Sequence, residues 1–167
     1  MDLNISLYIE RSENELDLAN VIYIVTSDEN LQKGIFHLDK VQTFYSGVIA
    51  HSYYSIFYAA KAYLLAKGIR TKPPSEHKKT YTQFRKLAFK GVIKKDLLKV
   101  YEEEYVKAET LLAIFKSERK KRGHFTYQRI AQANKEPAEK SMSNAGLFFK
   151  HINRLCENYS KEKNRES

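Results

Sequence analysis

The sequence predicts an all-α protein, a single-domain, up-and-down bundle of about five helices. The 167 residues suit one domain, and an apolar content of 43% is enough for a packed core. Only six glycines and three prolines occur, which is too few turn residues for a fold of many strands. Apolar side chains also recur at helical spacing in five separate segments. Together these observations favour a helical bundle.

The first two predicted helices cover residues 4–27 and 39–67. In the first, the β-branched run VIYIV also permits a strand, so both alternatives stay open there. The second is apolar around most of its circumference, which is typical of the central helix of a bundle. We expect Asp39 to cap its start and Gly68 to stop its end.

Three further helices are predicted over residues 76–90, over residues 93–121, and from about residue 136 to the end of the bundle at residue 160. We expect Ser75 to cap the third helix, residues 124–136 to form a polar connection, and residues 161–167 to form a charged, disordered tail.

Helical spacing also predicts the core. In the fifth helix, steps of four and three residues predict a buried stripe of Ala138, Met142, Ala145, Phe149, Ile152 and Cys156. The single cysteine is therefore expected to be a core residue and not a nucleophile. Across the chain, the residues expected to be mostly buried are Tyr53, Ile56, Phe57, Leu97, Tyr101, Leu111, Phe149 and Ile152.

The net charge of +9 is unevenly distributed along the chain. Residues 1–60 hold 3 basic and 8 acidic side chains, whereas residues 61–130 hold 19 basic and 7 acidic ones. A concentrated positive field suits a polyanionic partner such as RNA. The alternative is that lysine-rich helices simply keep the protein soluble.

We expect a cytoplasmic protein that does not enter a membrane. No apolar run approaches the ~18–20 residues of a membrane span. The acidic first residues lack the basic region of a secretory signal, and one cysteine cannot form an internal disulfide.

Common catalytic and metal-binding motifs are absent from the sequence. It contains no phosphate-binding glycine loop and no CxxC, HExxH or GxSxG. The five histidines are dispersed, and the triplet Glu102-Glu103-Glu104 points three ways around a helix, as a solvated face does. We expect no metal and no cofactor.

One cluster, ERKKRGHFTY at residues 118–127, has the composition of a phosphodiesterase site. Arg119 precedes His124 by five residues, and Gly123 can turn the chain so that the two side chains meet. An imidazole can exchange a proton with a ribose 2′-OH or a leaving oxygen, and a guanidinium can hold the charge that develops on the phosphate. The alternative is a basic helix end with a surface histidine.

The second predicted helix, GVIAHSYYSIFYAAKAYLLAKGI, resembles the signature helix of HEPN domains (higher eukaryotes and prokaryotes nucleotide-binding). The family pattern A-x-Y-Y-x-x-F-x-A-x-K-A-x-L-x-x-x-G is matched by Tyr53, Phe57, Ala59, Lys61, Ala62, Leu64 and Gly68, with Ala50 one position before the pattern's first alanine. A short loop and His77 at the start of the next helix also fit the family. The resemblance spans nearly the whole chain and implies a helical bundle that forms a homodimer.

The resemblance further implies a function. Many HEPN domains are metal-independent endoribonucleases, often toxins, with an Arg-x(4–6)-His motif near the end of the fourth helix. Arg119 and His124 match this motif as catalytic residues, with Lys120, Lys121, Arg122 and Tyr127 as nucleic-acid contacts. Lys120 stands where active members usually carry Asn, Asp or His. A non-catalytic module that binds a nucleotide or a partner nucleotidyltransferase therefore remains an alternative.

Overall fold

The computed structural model describes residues 2–120 and 134–165, and 82% of these are helical, with no strand among them. The prediction of an all-α bundle is confirmed. The five long helices are α1 (Leu3–Ser27), α2 (Tyr45–Ala66), α3 (Glu76–Phe89), α4 (Lys95–Lys120) and α5 (Lys135–Arg165). A single π-helical turn, Leu31–Ile35, lies between α1 and α2.

The central helix of the bundle is α2, as its composition predicted, and it packs against all four other long helices. It runs antiparallel to α1, as two hydrogen bonds show. The Ser12 hydroxyl donates to the Ser55 carbonyl, and Thr26 Oγ1, near the end of α1, accepts from the Phe44 amide, just before α2. Every residue of α2 is buried or half-buried. The β-branched run of α1 is helical, so the strand alternative is wrong.

The core was largely predictable from helical spacing. Of the eight expected residues, all but Phe149 are buried. Phe149 is half-buried, and its neighbour Phe148 is fully buried against Phe84 and Tyr101, with ring centroids 5.4 Å and 5.8 Å away. Cys156 is fully buried as expected, and burial raises the pKa of its thiol to about 12.

The start of α2 differs from the prediction. The helix begins at Tyr45 and not near Asp39, because the buried side chain of Gln32 holds the preceding backbone in a non-helical conformation. The Gln32 amide donates to the carbonyls of Val25 and Gln42, both at 3.0 Å, and its oxygen accepts from the Gln42 amide at 2.8 Å.

Two turns between helices show one correct and one wrong prediction. Gly68 follows α2 with φ +75°, the left-handed conformation in which glycine stops a helix, as expected. Ser75 does not cap α3 with its side chain. Its own φ is 60°, and its hydroxyl makes no hydrogen bond to the first turn of the helix.

The triplet at residues 102–104 is not a uniformly solvated face, because Glu104 is fully buried. One of its oxygens accepts from Lys107 Nζ at 2.7 Å and from Asn144 Nδ2 at 2.9 Å, which joins α4 to α5.

The C-terminal end of α5 extends further than predicted. The helix continues through Arg165, into the segment expected to be a charged, disordered tail. Among the described residues, no helix has the length and hydropathy that crossing a membrane requires.

Candidate functional site

The predicted catalytic segment falls mostly beyond the described part of the chain. The backbone of Arg119 and Lys120 is helical and belongs to α4, and the location of the arginine in the last turn of that helix stays a prediction, because the residues after Lys120 lie outside the described part of the chain. The side chains of these two residues lie outside the described structure. Lys121, Arg122, His124 and Tyr127, and with them most of the predicted polar connection, also lie outside the described residues.

A small cavity lies beside α4 about two helical turns before Arg119. The cavity has a volume of about 150 Å³ and lies between α2, α3 and α4. Its walls are formed by Tyr53, Tyr54, His77, Ala108, Glu109 and Leu112. The side chains of Tyr53, Tyr54 and His77 thus lie beside the part of α4 that precedes Arg119.

His77 is held rigidly in this cavity. Its Nδ1 shares a hydrogen bond of 2.9 Å with the Tyr53 hydroxyl. Its ring stacks on Phe57 at 4.0 Å between centroids, with an angle of 14° between the planes. Burial lowers the pKa of His77, so the imidazole is neutral at pH 7. Burial likewise raises the pKa of Tyr53 far above its usual range, so the phenol keeps its proton.

The chemistry of this cavity favours an uncharged ligand over a phosphate. None of the side chains that line it is a cation, and the exposed Glu109 at its rim would repel an anion. Phe57 covers one face of the His77 ring, the Tyr53 hydroxyl bonds its edge at Nδ1, and Tyr54 meets the ring edge-on. Tyr54 and His77 are both half-buried, so each keeps some surface for contact with a flat group such as a nucleobase.

A second polar feature was missed by the sequence analysis. Lys61, which the sequence analysis used only as a family match, is buried in the middle of α2 and forms a salt bridge with Glu76 of α3. The available signal was its setting, since a lysine within the apolar run IFYAAKAYLL must have a partner if it is buried. The partner itself, fifteen residues later, follows no helical spacing and could not be predicted.

No group of histidine, cysteine or acidic side chains among the described residues has an arrangement that could hold a metal ion. The ion pairs found there join helices or neighbouring turns, such as His51 Nδ1 with Glu15 Oε2 at 2.7 Å between α2 and α1. The described residues thus provide aromatic rings for stacking on a ligand and basic side chains for binding an anion.

Comparisons with protein-family models, with characterised proteins and with solved structures found no match for this chain.

Proposed function

We propose that this protein is a metal-independent endoribonuclease of the HEPN type, with Arg119 and His124 as its catalytic residues. One observation carries the proposal. The backbone of α4 is helical through Arg119 and Lys120, which supports the proposal because the resemblance requires the arginine of the Arg-x4-His motif to lie on the fourth helix. The motif also lies within the most basic part of the chain.

The proposed reaction uses only side chains. His124 accepts the proton of a ribose 2′-OH as the oxygen attacks the adjacent phosphorus, or protonates the leaving 5′-oxygen. Arg119 stabilises the extra negative charge, because a planar guanidinium can donate to two phosphate oxygens at once. Lys120, Lys121 and Arg122 bind flanking phosphates, and Tyr127 stacks on a base. The products are a 2′,3′-cyclic phosphate and a 5′-hydroxyl.

The proposal is tested by RNA cleavage in excess EDTA. We expect the wild-type protein to cut RNA but not DNA of the same sequence, because DNA lacks the attacking hydroxyl. His124→Ala should lose at least about 100-fold in rate, the usual contribution of a general acid or base. His151→Ala removes an exposed histidine on α5 and serves as the matched control. If His124→Ala cleaves RNA as fast as the control, these residues are not the site.

Arg119→Lys sharpens the test. This variant keeps the positive charge but loses the planar fork that bridges two oxygens. We therefore expect impaired turnover with RNA binding largely retained. Lys121→Ala should instead weaken binding and lower its dependence on salt concentration, with a smaller effect on turnover at saturating RNA.

A second candidate function is binding of RNA, a nucleotide or a partner nucleotidyltransferase without cleavage. It is favoured by the basic segment at residues 67–90, which holds eight basic side chains, all of them exposed, and one acidic one. A wild-type protein that binds RNA in a salt-dependent manner, yet yields no product in the EDTA assay, would support this candidate over the ribonuclease.

A further inference from the structure

A polar cavity in the described part of the chain lies where α1 begins and α2 ends. It has a volume of about 240 Å³ and lies between α1, α2, the loop after α2, and the start of α3. Its lining includes the cations Lys61, Arg70 and Lys72, the hydroxyl groups of Tyr8 and Thr71, and the carboxylate of Glu76. Three cations and one anion therefore line the same cavity.

Lys61 gives this cavity a fixed charge. Its side chain is only 9% exposed, and its ammonium group lies 4.4 Å from the centre of the Tyr8 ring. Burial disfavours the charged form, but hydrogen bonds to Glu76 and Tyr8 outweigh it and raise the pKa of Lys61 above its ordinary value. An ammonium group has three protons to donate, and the hydrogen bond that the geometry shows uses one of them, to Glu76.

The surrounding charge favours an anion. Glu76 is the only acidic residue among residues 67–90, which carry eight basic side chains. That acid is bonded to Lys61 and so orients the buried ammonium group, while Arg70 and Lys72 at the exposed side of the cavity have no acidic partner within the segment. A phosphate brings two to three strong acceptor oxygens to such a set of donors.

We propose that this cavity is a binding site for a phosphate monoester, held by Lys61, Arg70 and Lys72. At about 30 Å³ per water molecule, its volume corresponds to roughly eight waters, which accommodates a phosphate group. It is below the roughly 300–1,000 Å³ typical of pockets that enclose a whole drug-sized ligand. The rest of the ligand therefore lies outside. Two sources share this chemistry, a free nucleotide and the 5′-phosphorylated end of an RNA.

This site is separate from the proposed catalytic residues and does not depend on them. Leu111 of α4 packs near Val48, at the start of α2, and α4 continues from there to Arg119. Lys61 lies thirteen residues further along α2, which is about 20 Å at 1.5 Å per residue. Binding is measured with full-length protein carrying His124→Ala, so that RNA stays intact if the ribonuclease proposal is right.

The test is calorimetric titration with four probes: AMP, adenosine, and one short RNA with either a 5′-phosphate or a 5′-hydroxyl. We expect AMP to bind and adenosine not to bind if the source is a nucleotide. A preference of at least about tenfold for the phosphorylated RNA would identify the RNA end, since charge-assisted hydrogen bonds contribute most of the affinity. Equal binding within both pairs of probes would overturn the proposal.

Substitutions assign the binding to this cavity. Arg70→Ala with Lys72→Ala changes two exposed side chains, so the fold is kept, and phosphate-dependent affinity should fall at least about tenfold. Glu76→Gln removes the competing negative charge and should raise affinity several-fold, whereas a purely structural role for Glu76 predicts no gain. Lys33→Ala with Lys40→Ala, two exposed cations before α2, is the charge-matched control. Equal losses in the two double variants would overturn the proposal.

Discussion

At the scale of single residues, the adjacent Phe148 and Phe149 of α5 differ sharply in their surroundings. Phe148 is fully buried against two aromatic rings, whereas Phe149 is half-buried. Truncating Phe148 to alanine should therefore cost about 3–5 kcal/mol of the free energy of unfolding, through lost burial and a cavity. Phe149→Ala should cost about 1–2 kcal/mol. Urea denaturation of the two variants makes the comparison, and equal losses would mean that the structure assigns the wrong ring to the core.

The same pair shows what helical spacing can and cannot predict. Phe148 and Phe149 follow Ala145 by three and four residues, and both spacings fit a buried stripe. The positions of Phe84 and Tyr101 on other helices decide between them, and spacing along one helix carries no such information. The same limit applies to the polar residues. Arg119 and His124 were predicted from their separation in the sequence, whereas the contact between Lys61 and Glu76 depends on how α2 and α3 pack.

At the scale of helices, the ends were predicted well where glycine determines them and poorly where a distant side chain does. Gly68 and Gly91 both have positive φ, of 75° and 72°, and a helix that reaches such a residue stops. The start of α2 depends instead on Gln32, whose amide pairs with Gln42 across ten residues. No cap or breaker in the sequence marks that contact.

We therefore expect the side chain of Gln32 to stabilise the backbone conformation of the whole segment between α1 and α2. Gln32→Ala leaves the backbone groups of Gln42 and the carbonyl of Val25 without this partner, and because these hydrogen bonds are part-buried, each loss costs at most about 1–3 kcal/mol. We expect faster amide hydrogen exchange in residues 28–44 than in the wild-type protein. Gln42→Ala is the control, because it removes an exposed side chain and keeps the backbone groups that Gln32 contacts. Unchanged exchange in Gln32→Ala would contradict this role.

At the scale of the whole molecule, the homodimer implied by the resemblance remains a prediction. The exposed apolar surface on which such a dimer could form lies on α1 and the segment after it, not on α2. The second helix is apolar around most of its circumference, but every α2 residue is buried or half-buried within the bundle. Exposed apolar side chains instead gather on α1 and the segment that follows it, at Leu18, Val21, Ile24, Ile35, Phe36 and Val41. Val21 and Phe36 line one cavity of about 490 Å³, which brings α1 and the following segment together within this apolar patch.

We expect two copies of the chain to associate through this apolar patch, since exposed apolar surface of this extent commonly marks an interface. Light scattering at tens of micromolar should then give the mass of a dimer. Phe36→Glu introduces a charge at the centre of the patch and should yield monomers, because an unpaired carboxylate is costly to bury between two chains. Leu147→Glu is the matched control, since Leu147 and Phe36 are both 54% exposed and Leu147 lies on α5. A wild-type monomer would contradict the dimer, and a dimer that persists in Phe36→Glu but dissociates in Leu147→Glu would transfer the interface to α5.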